Sequence, residues 1–577
     1  LIYGREVQER ETIYQLLHHY ISLSNKMDHS LLAVRDLNHK YIVVERKMVV
    51  LYLGQLLLNN VTNDPLRTAV ISCTRTLTYY ELNRESNCIA NALTKRGIKK
   101  GDTAGIVLKN SAEWVIAWFA CQKLGVVFVP LHVRLRAEEL VESMRMVQCK
   151  LLFFGESLHE KAKEICKSYE DLQIKICVGA PDSAYPYSSE YSLSWEDLLR
   201  EGDEREAQIK LENDSPAVVL FTSGTTGAPK GVVRTQEQVV LHGMTLAMEN
   251  NHPGVRDVML STAPLYHIGG LQGFLKMLVL GGTYITLERI HPPEVFHMIE
   301  TWQVTQLQML PPVTYERLYR YDGWSQKDRS SVWEVCISAG KCTRDYIEHV
   351  FELFPQCHLR PSWGSTETCS VTCMQVSREA YRQNPALLKA VGRVIPLNEL
   401  RIVDERGRDV KKGQSGEAVV RSPMVFKGYI GQQEEDKDIF LDNEWFRTGD
   451  IVRADPKNDC YYFLDRKKDV IKTGGENVFA LEVERALQEH PAVRDCAVVG
   501  IPDPRFGEAI AAAVVPNPGF SVNGMELAEF CKKKLPSFKK PRYLALMEKL
   551  PVNNIGKIAK PVLREQAEQL FAPIFTE

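Results

Sequence analysis

From Leu51 onward the chain alternates short apolar runs with segments of helical periodicity, and this alternation constrains the fold more than any other feature. TAGIVLKN from Thr103 reads as a strand and turn, and SAEWVIAWFACQKLG after it as a helix. VVFVPLH from Val126 and CKLLFFG from Cys149 are further strands, separated by the helical AEELVESMRMV. Parallel strands need crossovers long enough to hold a helix, so the repetition predicts an α/β fold of mostly parallel, doubly wound sheets with helices on both faces.

At 577 residues the chain exceeds what one core organises, and several subdomains are expected. The pattern changes twice. RIVDERGRDVKKGQSGEAVVRSP from Arg401 carries turn signals at Glu405 to Gly407 and Gly413 to Gly416, which predict a small antiparallel β-subdomain. In the last hundred residues LEVERALQEHPAV reads as a helix, DCAVVGIPD and EAIAAAVVP as strands, and a Lys-rich helix follows: a separate small α+β domain. MVVLYLGQLLLNNV from Met48 reads as an amphipathic helix opening the large domain, and Pro181 to Ser194 as a surface loop. The expected division is an N-terminal extension over 1–50, a large domain over 51–465 and a C-terminal domain over 466–577.

Composition narrows the partners. A formal net charge of -2 offers no global field for nucleic acid. No run is apolar for the length of a bilayer span, so no transmembrane segment is expected, and only peripheral membrane contact stays open. The 14 Cys are scattered, which predicts reduced thiols and a cytoplasmic setting. Cys369 and Cys373 form a lone close pair without a second pair or a His pair, and they read as core thiols rather than a zinc site. No Gly-x-Ser-x-Gly elbow signals a hydrolase nucleophile.

AVVLFTSGTTGAPKGVV from Ala217 to Val233 carries the first chemistry. An apolar strand ends in Phe221, and Thr222, Ser223, Gly224, Thr225, Thr226 and Gly227 follow, with Lys230 placed before the next helix. Small residues let backbone N–H groups approach an anion, the hydroxyls add donors, and Lys230 adds charge. A Walker loop is ruled out by count: from Gly224 its second Gly falls on Pro229 and its hydroxyl on Gly231.

This segment resembles the signature of the acyl-adenylate-forming superfamily, which includes acyl-CoA synthetases, nonribosomal peptide adenylation domains and beetle luciferases. Further segments resemble the family's other motifs in the same order. PLYHIGG (Pro264 to Gly270) is similar to the His segment at the mouth of the acyl pocket, which implies that His267 borders the carboxylate. Ser338, Ala339 and Gly340 resemble the strand-end turn that holds adenine against backbone, with Lys341 and Cys342 in place of the usual residues. Trp363, Gly364, Ser365, Thr366 and Glu367 resemble the aromatic-Gly-x-Thr-Glu motif. The resemblance implies stacking on adenine by Trp363, an α-phosphate contact by Thr366 and Mg²⁺ binding by Glu367, a hard oxygen ligand suited to that ion. Read without the family, Thr366 and Glu367 serve equally well as caps of a helix.

Asp450, ending WFRTGD, resembles the carboxylate that accepts both ribose hydroxyls. Arg466 resembles the arginine at ribose and phosphate, preceded by Asp465 where Gly is usual, and Lys468 falls at the hinge. Lys472, Gly474 and Gly475 lie in the same run, the glycines implying room for a pantetheine arm. LPVNNIGKIAK from Leu550 resembles the catalytic-lysine motif, which implies that Lys557 stabilises charge during adenylation. The resemblance covers Leu51 to the C-terminus and implies an acid–thiol ligase using a small-molecule carboxylic acid, ATP, Mg²⁺ and CoA. Adenylation for a carrier-protein phosphopantetheine is the runner-up within the family, and a non-catalytic nucleotide- or acyl-binding scaffold the alternative outside it. Few charges appear near His267 to Gly273, Ser338 to Gly340 and Trp363 to Ser365, so a monocarboxylate with an apolar tail or ring is expected.

Overall fold

The computed structural model describes residues 51–575 apart from 180–192, 208, 224–228, 253–255, 310–312, 339–343, 431–438 and 553–557. It also describes the strands Leu31–Arg35 and Tyr41–Glu45, which pair antiparallel. Most of the loop expected from Pro181 therefore lies outside the described residues, and its end, Leu193–Ser194, is a short edge strand.

The repeating strands and helices build two doubly wound sheets. In the first, Val127–Pro130, Thr103–Val107, Leu151–Gly155 and Ile174–Val178 run parallel. Each is almost wholly apolar because helices cover both faces. The second sheet has parallel strands Thr68–Ile71, Thr283–Thr286, Val258–Ser261, Gln306–Gln308, Glu334–Cys336 and His358–Arg360, with short antiparallel strands at either edge.

The main core is a helical layer between these sheets, into which Trp114, Trp118, Phe128, Phe274 and Tyr284 all pack. Helix Ala112–Leu124 is apolar on every side, as its position between two sheets requires. Ser111 starts it by accepting from the Trp114 N–H at 3.2 Å, and Gly125 ends it in the left-handed conformation at φ 67°. Helix Leu53–Asn63 buries Leu53 and Leu57 in this core, as the pattern after Met48 predicts.

The predicted β-subdomain is an antiparallel sheet that includes Ser362–Ser365, Cys369–Cys373, Ala390–Val394, Tyr461–Arg466, Trp445–Ala454, Ser415–Arg421 and Glu399–Val403. Both predicted turns fall in the single connection between Val403 and Ser415, where Gly407 and Gly413 take φ values of 79° and 95°. The C-terminal region carries its own sheet, with Val493–Asp503 and Gly507–Pro516 as a long hairpin. Helices Ala480–Gln488 and Gly524–Lys534 cover one face, and Lys560–Glu565 and Ala567–Leu570 the other. Strand Tyr461–Arg466 passes through the turn Lys467–Asp469 into this sheet, so the joint between the two regions is only a few residues long. No helix among the described residues is long and apolar enough to cross a membrane.

Candidate active site

A cavity of about 2410 Å³ opens where the two doubly wound sheets meet the antiparallel sheet and the C-terminal region. Thr222 and Lys230 line it from the phosphate loop, facing each other in register across the antiparallel strands Pro216–Ser223 and Pro229–Thr235. Here the fold departs from the sequence reading. A second strand, not a helix, follows the loop, and the helix Gln236–Met248 begins only after it. The N-terminus of that helix therefore stands a whole strand away from Lys230. Gly224, Thr225, Thr226 and Gly227 lie outside the described residues, as does the side chain of Ser223.

Trp363 to Glu367 form the end of a strand and a tight turn, which excludes the helix-cap reading. Ser365 makes the turn by accepting from the N–H groups of Glu367 and Thr368 at 3.2 and 3.3 Å. Gly364 is obligatory, since a Cβ there would sit 1.9 Å from the Cys369 carbonyl oxygen. The fully buried Arg234 reaches over from the strand after the phosphate loop and donates to the carbonyls of Thr366 and Met424. The strand after the loop and the turn are thus tied into one unit.

Within that unit Glu367 is half-buried and lines the cavity. The Tyr429 hydroxyl donates to its Oε1 at 2.8 Å, and its other oxygen has no protein partner among the described residues. Lys230 Nζ lies 4.9 Å from the centre of the same Tyr429 ring. Tyr429 therefore joins the expected phosphate lysine to the expected metal carboxylate, and no sequence motif singled it out.

Asp450 is 3% exposed and lines the cavity. Its Oδ2 accepts from the Trp363 indole N–H at 2.8 Å, and its Oδ1 pairs with Arg466 Nε at 2.8 Å. Three expected residues, separated by up to 103 positions in the chain, are thus wired together. Beside them Glu417, also missed, pairs with Arg447 at 2.7 Å and Lys467 at 3.0 Å. Ser338 lines the cavity with its hydroxyl 2.6 Å from that of Ser362, while Ala339 and Gly340 lie outside the described residues.

His267 is exposed in the cavity wall and also caps the helix Ile268–Leu280, its Nδ1 accepting from the Gly269 N–H at 3.0 Å. Gly270 gives no room to a ligand, because a Cβ there would meet the Pro264 carbonyl oxygen at 2.1 Å.

The C-terminal region contributes Ile558, Ala559 and Lys560 to the cavity, immediately after residues 553–557, so Lys557 itself lies outside the described residues. Lys560 pairs with the buried Glu484 at 2.9 Å. Asp465, buried before the joint, accepts from the Leu481 N–H at 3.0 Å, tying the large domain's last strand to the next helix. Burial pushes the Asp465 carboxyl up, and the nearby Lys560 opposes that shift.

Lys472, Gly474 and Gly475 are not brought to the cavity. The two glycines take φ values of 58° and 83° and close the hairpin between Val470–Thr473 and Glu476–Phe479 at the edge of the C-terminal sheet. The Lys472 main-chain N–H donates to Glu508 at 2.6 Å. Of the Lys-rich helix, Lys532 and Lys534 form surface ion pairs with Glu529 and Glu489.

The segments expected to line the acyl pocket carry few charges, but a charged cluster stands behind them. Behind the wall formed by Gln272, Ser362 and Ser370, Lys276 and Arg360 both contact Glu334, at 3.1 and 3.3 Å, with all three side chains buried. Burial alone would raise the Glu334 carboxyl, but Arg360 and Lys276 hold it down at about 2. The sequence shows these charges but not their meeting, since they come from a helix and two separate strands.

Comparison with known proteins agrees with this geometry. The model of the AMP-binding enzyme family matches residues 57–430, and that of the AMP-binding enzyme C-terminal domain matches residues 482–557. The 2-succinylbenzoate–CoA ligase of Bacillus licheniformis is 31% identical over 497 residues, covering 86% of this chain and 96% of its own length. The indoleacetate–CoA ligase of Aromatoleum aromaticum is 29% identical over 505 residues, covering 87% and 95%. The structure of o-succinylbenzoate CoA synthetase from Bacillus subtilis, in complex with its acyl-adenylate intermediate, gives a TM-score of 0.75 at 28% identity and covers 89% of this chain and 97% of that one. With both of its domain models matched in order over most of its length, this chain belongs to the AMP-binding enzyme family.

Proposed function

We propose that this protein is an ATP-dependent carboxylate–CoA ligase that forms an acyl adenylate and then transfers the acyl group to the CoA thiol. The observation that carries this reading is the convergence of Lys230, Thr366, Glu367 and Asp450 on one cavity that the segment after Lys557 also lines. In the first half-reaction a carboxylate oxygen of the acid attacks the α-phosphorus of ATP. The bond from that phosphorus to the bridging β-oxygen breaks, and pyrophosphate leaves. In the second, the CoA sulfur attacks the acyl carbon, the bond to the adenylate oxygen breaks, AMP leaves and the thiol proton passes to solvent.

Thr222, Ser223, the 224–228 loop and Lys230 hold the phosphates. Trp363 lays its face on adenine while its N–H stays on Asp450, and the backbone at Ser338 to Gly340 follows the adenine edge. Asp450 accepts the ribose hydroxyls, with Arg466 turned from the ion pair toward ribose and phosphate. Thr366 and Lys557 meet the charge that develops at the α-phosphate. Glu367 fits a Mg²⁺ ion that phosphates and water mainly coordinate, because it offers one unpartnered carboxylate oxygen, and no group of three His, Cys, Asp or Glu side chains forms a metal cage among the described residues. When bound, that ion supplies positive charge to the phosphates.

Ile558 to Lys560 face the cavity and Gly474–Gly475 do not, an arrangement suited to the first half-reaction. Rotation of residues 466–577 about Lys468, against a large domain of 51–465, brings the glycine turn round for the thiol. The thirteen described cysteines are all free, which suits a cytoplasmic setting.

The test is Lys557→Ala. It is expected to slow acid-dependent pyrophosphate release by about 10²–10³-fold while CoA thioester still forms from a supplied acyl adenylate, the scale seen when one charge-stabilising group is removed. Equal loss in both half-reactions would sink the assignment.

A further inference from the structure

Below His267 one wall of the cavity is polar. Helix Ile268–Leu280 descends from the exposed His267 to the half-buried Gln272, roughly 7.5 Å along the axis at 1.5 Å per residue. There the Ser370 hydroxyl donates to Gln272 Oε1 at 2.9 Å. This bond fixes the amide, and Gln272 Nε2 makes no hydrogen bond to protein among the described residues. One residue on, the space that a side chain would fill at Gly273 is taken by Gln308, whose Oε1 would lie 2.1 Å from a Cβ there. Gln308 is itself held by donating to the Gly269 carbonyl at 2.9 Å.

Behind this wall lies a void of about 20 Å³ that Gln272, Ser362 and Ser370 share with the main cavity. It holds one water at most. Its far side is the buried cluster of Lys276, Glu334 and Arg360, in which the Arg360 Nε–H has no hydrogen-bond partner among the described residues. Lys276 is already held by Gln306 and Glu334, with Asp257 nearby, so the donors left over at this end are the Arg360 Nε–H and the Gln272 amide. An alkyl chain that extended past Gln272 would have to strip hydrogen bonds from buried ions, which costs far more than its methylenes recover.

We infer that the acid this enzyme activates is compact and carries a hydrogen-bond acceptor oxygen at the end distal to its reacting carboxylate, with Gln272, oriented by Ser370, as the specificity-determining donor. The inference rests on the ligase reading and replaces the apolar tail that the sequence suggested. A ring bearing an acceptor substituent suits the distance from His267 to Gln272, and a long fatty tail running on toward the buried ions does not. A site that donates to a substrate oxygen rejects the analogue lacking it, because the donor is then left buried and unpaired.

The experiment measures pyrophosphate release by the full-length enzyme with ATP, Mg²⁺, CoA and a matched set of acids: 4-methylbenzoate, 4-methoxybenzoate, 4-acetylbenzoate, terephthalate and palmitate. The neutral and anionic acceptors separate a carbonyl or ether oxygen from a second carboxylate. At least one acceptor acid is expected to exceed 4-methylbenzoate about tenfold in kcat/KM, the worth of one hydrogen bond. Gln272→Met, close in size, should collapse that ratio toward one through KM, and Ser370→Ala should do the same more weakly, with thermal melts verifying the fold of both. Preference for palmitate, parity between methyl and acceptor acids, or an equal loss on every acid in Gln272→Met would overturn the inference and leave the ligase reading standing. Release with no acid at all would overturn the ligase reading, and the inference with it.

Discussion

Each end of the cavity sets a carboxylate against cationic charge, and the two do so in opposite ways. At the nucleotide end Asp450 pairs with Arg466, whose side chain is 46% exposed. At the acyl end Glu334 pairs with Lys276 and Arg360, only 1% and 8% exposed. An ion pair with a solvated partner is cheap to open, so the Asp450 carboxylate is available for the ribose hydroxyls that the proposed function assigns to it. A pair with both partners desolvated cannot be opened without stranding a charge, so Glu334 is scaffold. The difference in exposure separates a group that serves ligands from a group that shapes the wall ligands meet.

The largest effect that tests this difference is on stability. Glu334→Gln leaves Lys276 and Arg360 buried without their counter-charge and should cost about 3–5 kcal/mol in calorimetric or denaturant unfolding. It should also change the response to acid. The folded Glu334 carboxyl is held at about 2, below the ordinary value near 4.3 in an unfolded chain. Its stabilising contribution is therefore complete above about pH 4.3 and disappears as pH falls toward 2. The wild type should lose stability across that window more steeply than Glu334→Gln. Parallel acid curves would mean that Glu334 carries no charge worth keeping.

The two ends also differ in how far sequence reveals them. Asp450, Trp363, Glu367 and Arg466 sit in short runs whose order is itself informative, so the nucleotide end was legible as a set before any geometry. Tyr429 and Glu417 stand beside them without a motif, because their roles come from strand pairing that brings distant segments together. The acyl wall is less legible still: Gln272, Gln308, Ser370 and Glu334 come from a helix and three strands and share no spacing. The apolar strands announced the two wound sheets, since burial on both faces leaves a composition that can be read directly. The second strand after the phosphate loop was missed because PKGVVRT is short, carries charge at both ends and precedes a strong helix.

Asp450→Asn gives the middle-sized effect. The amide keeps an oxygen for the Trp363 N–H but loses the charge that holds Arg466 and that, in the proposed function, accepts two ribose hydroxyls. Charge-assisted hydrogen bonds are worth about 1.5–3 kcal/mol, so KM for ATP should rise roughly ten- to a hundredfold. Because Arg466 is already half in water, the melting temperature should move far less than in Glu334→Gln. A comparable loss of stability in both variants would erase the distinction between the two ends.

The smallest effect belongs to the joint, where Asp465 joins the antiparallel sheet to the C-terminal region. Its Oδ1 accepts from the Arg466 N–H at 2.9 Å on its own side of the turn, and its Oδ2 from the Leu481 N–H on the other. Leu481 lies in the first turn of helix Ala480–Gln488, so the carboxylate meets a positive helix end and acts as a cap supplied from another domain. Rotation about Lys468 would part Asp465 from Leu481, so this bond stabilises the arrangement seen here and no other. Asp465→Gly, which restores the residue usual in the family, removes about 1 kcal/mol of capping, or roughly a fivefold shift toward the rotated arrangement. Single-turnover rates should then fall a few-fold for adenylate formation and rise for thioester formation from a supplied adenylate. The opposite signs are the point, because Asp450→Asn acts through ATP and lowers only the first rate, whereas Asp465→Gly moves a balance and must push the two rates apart.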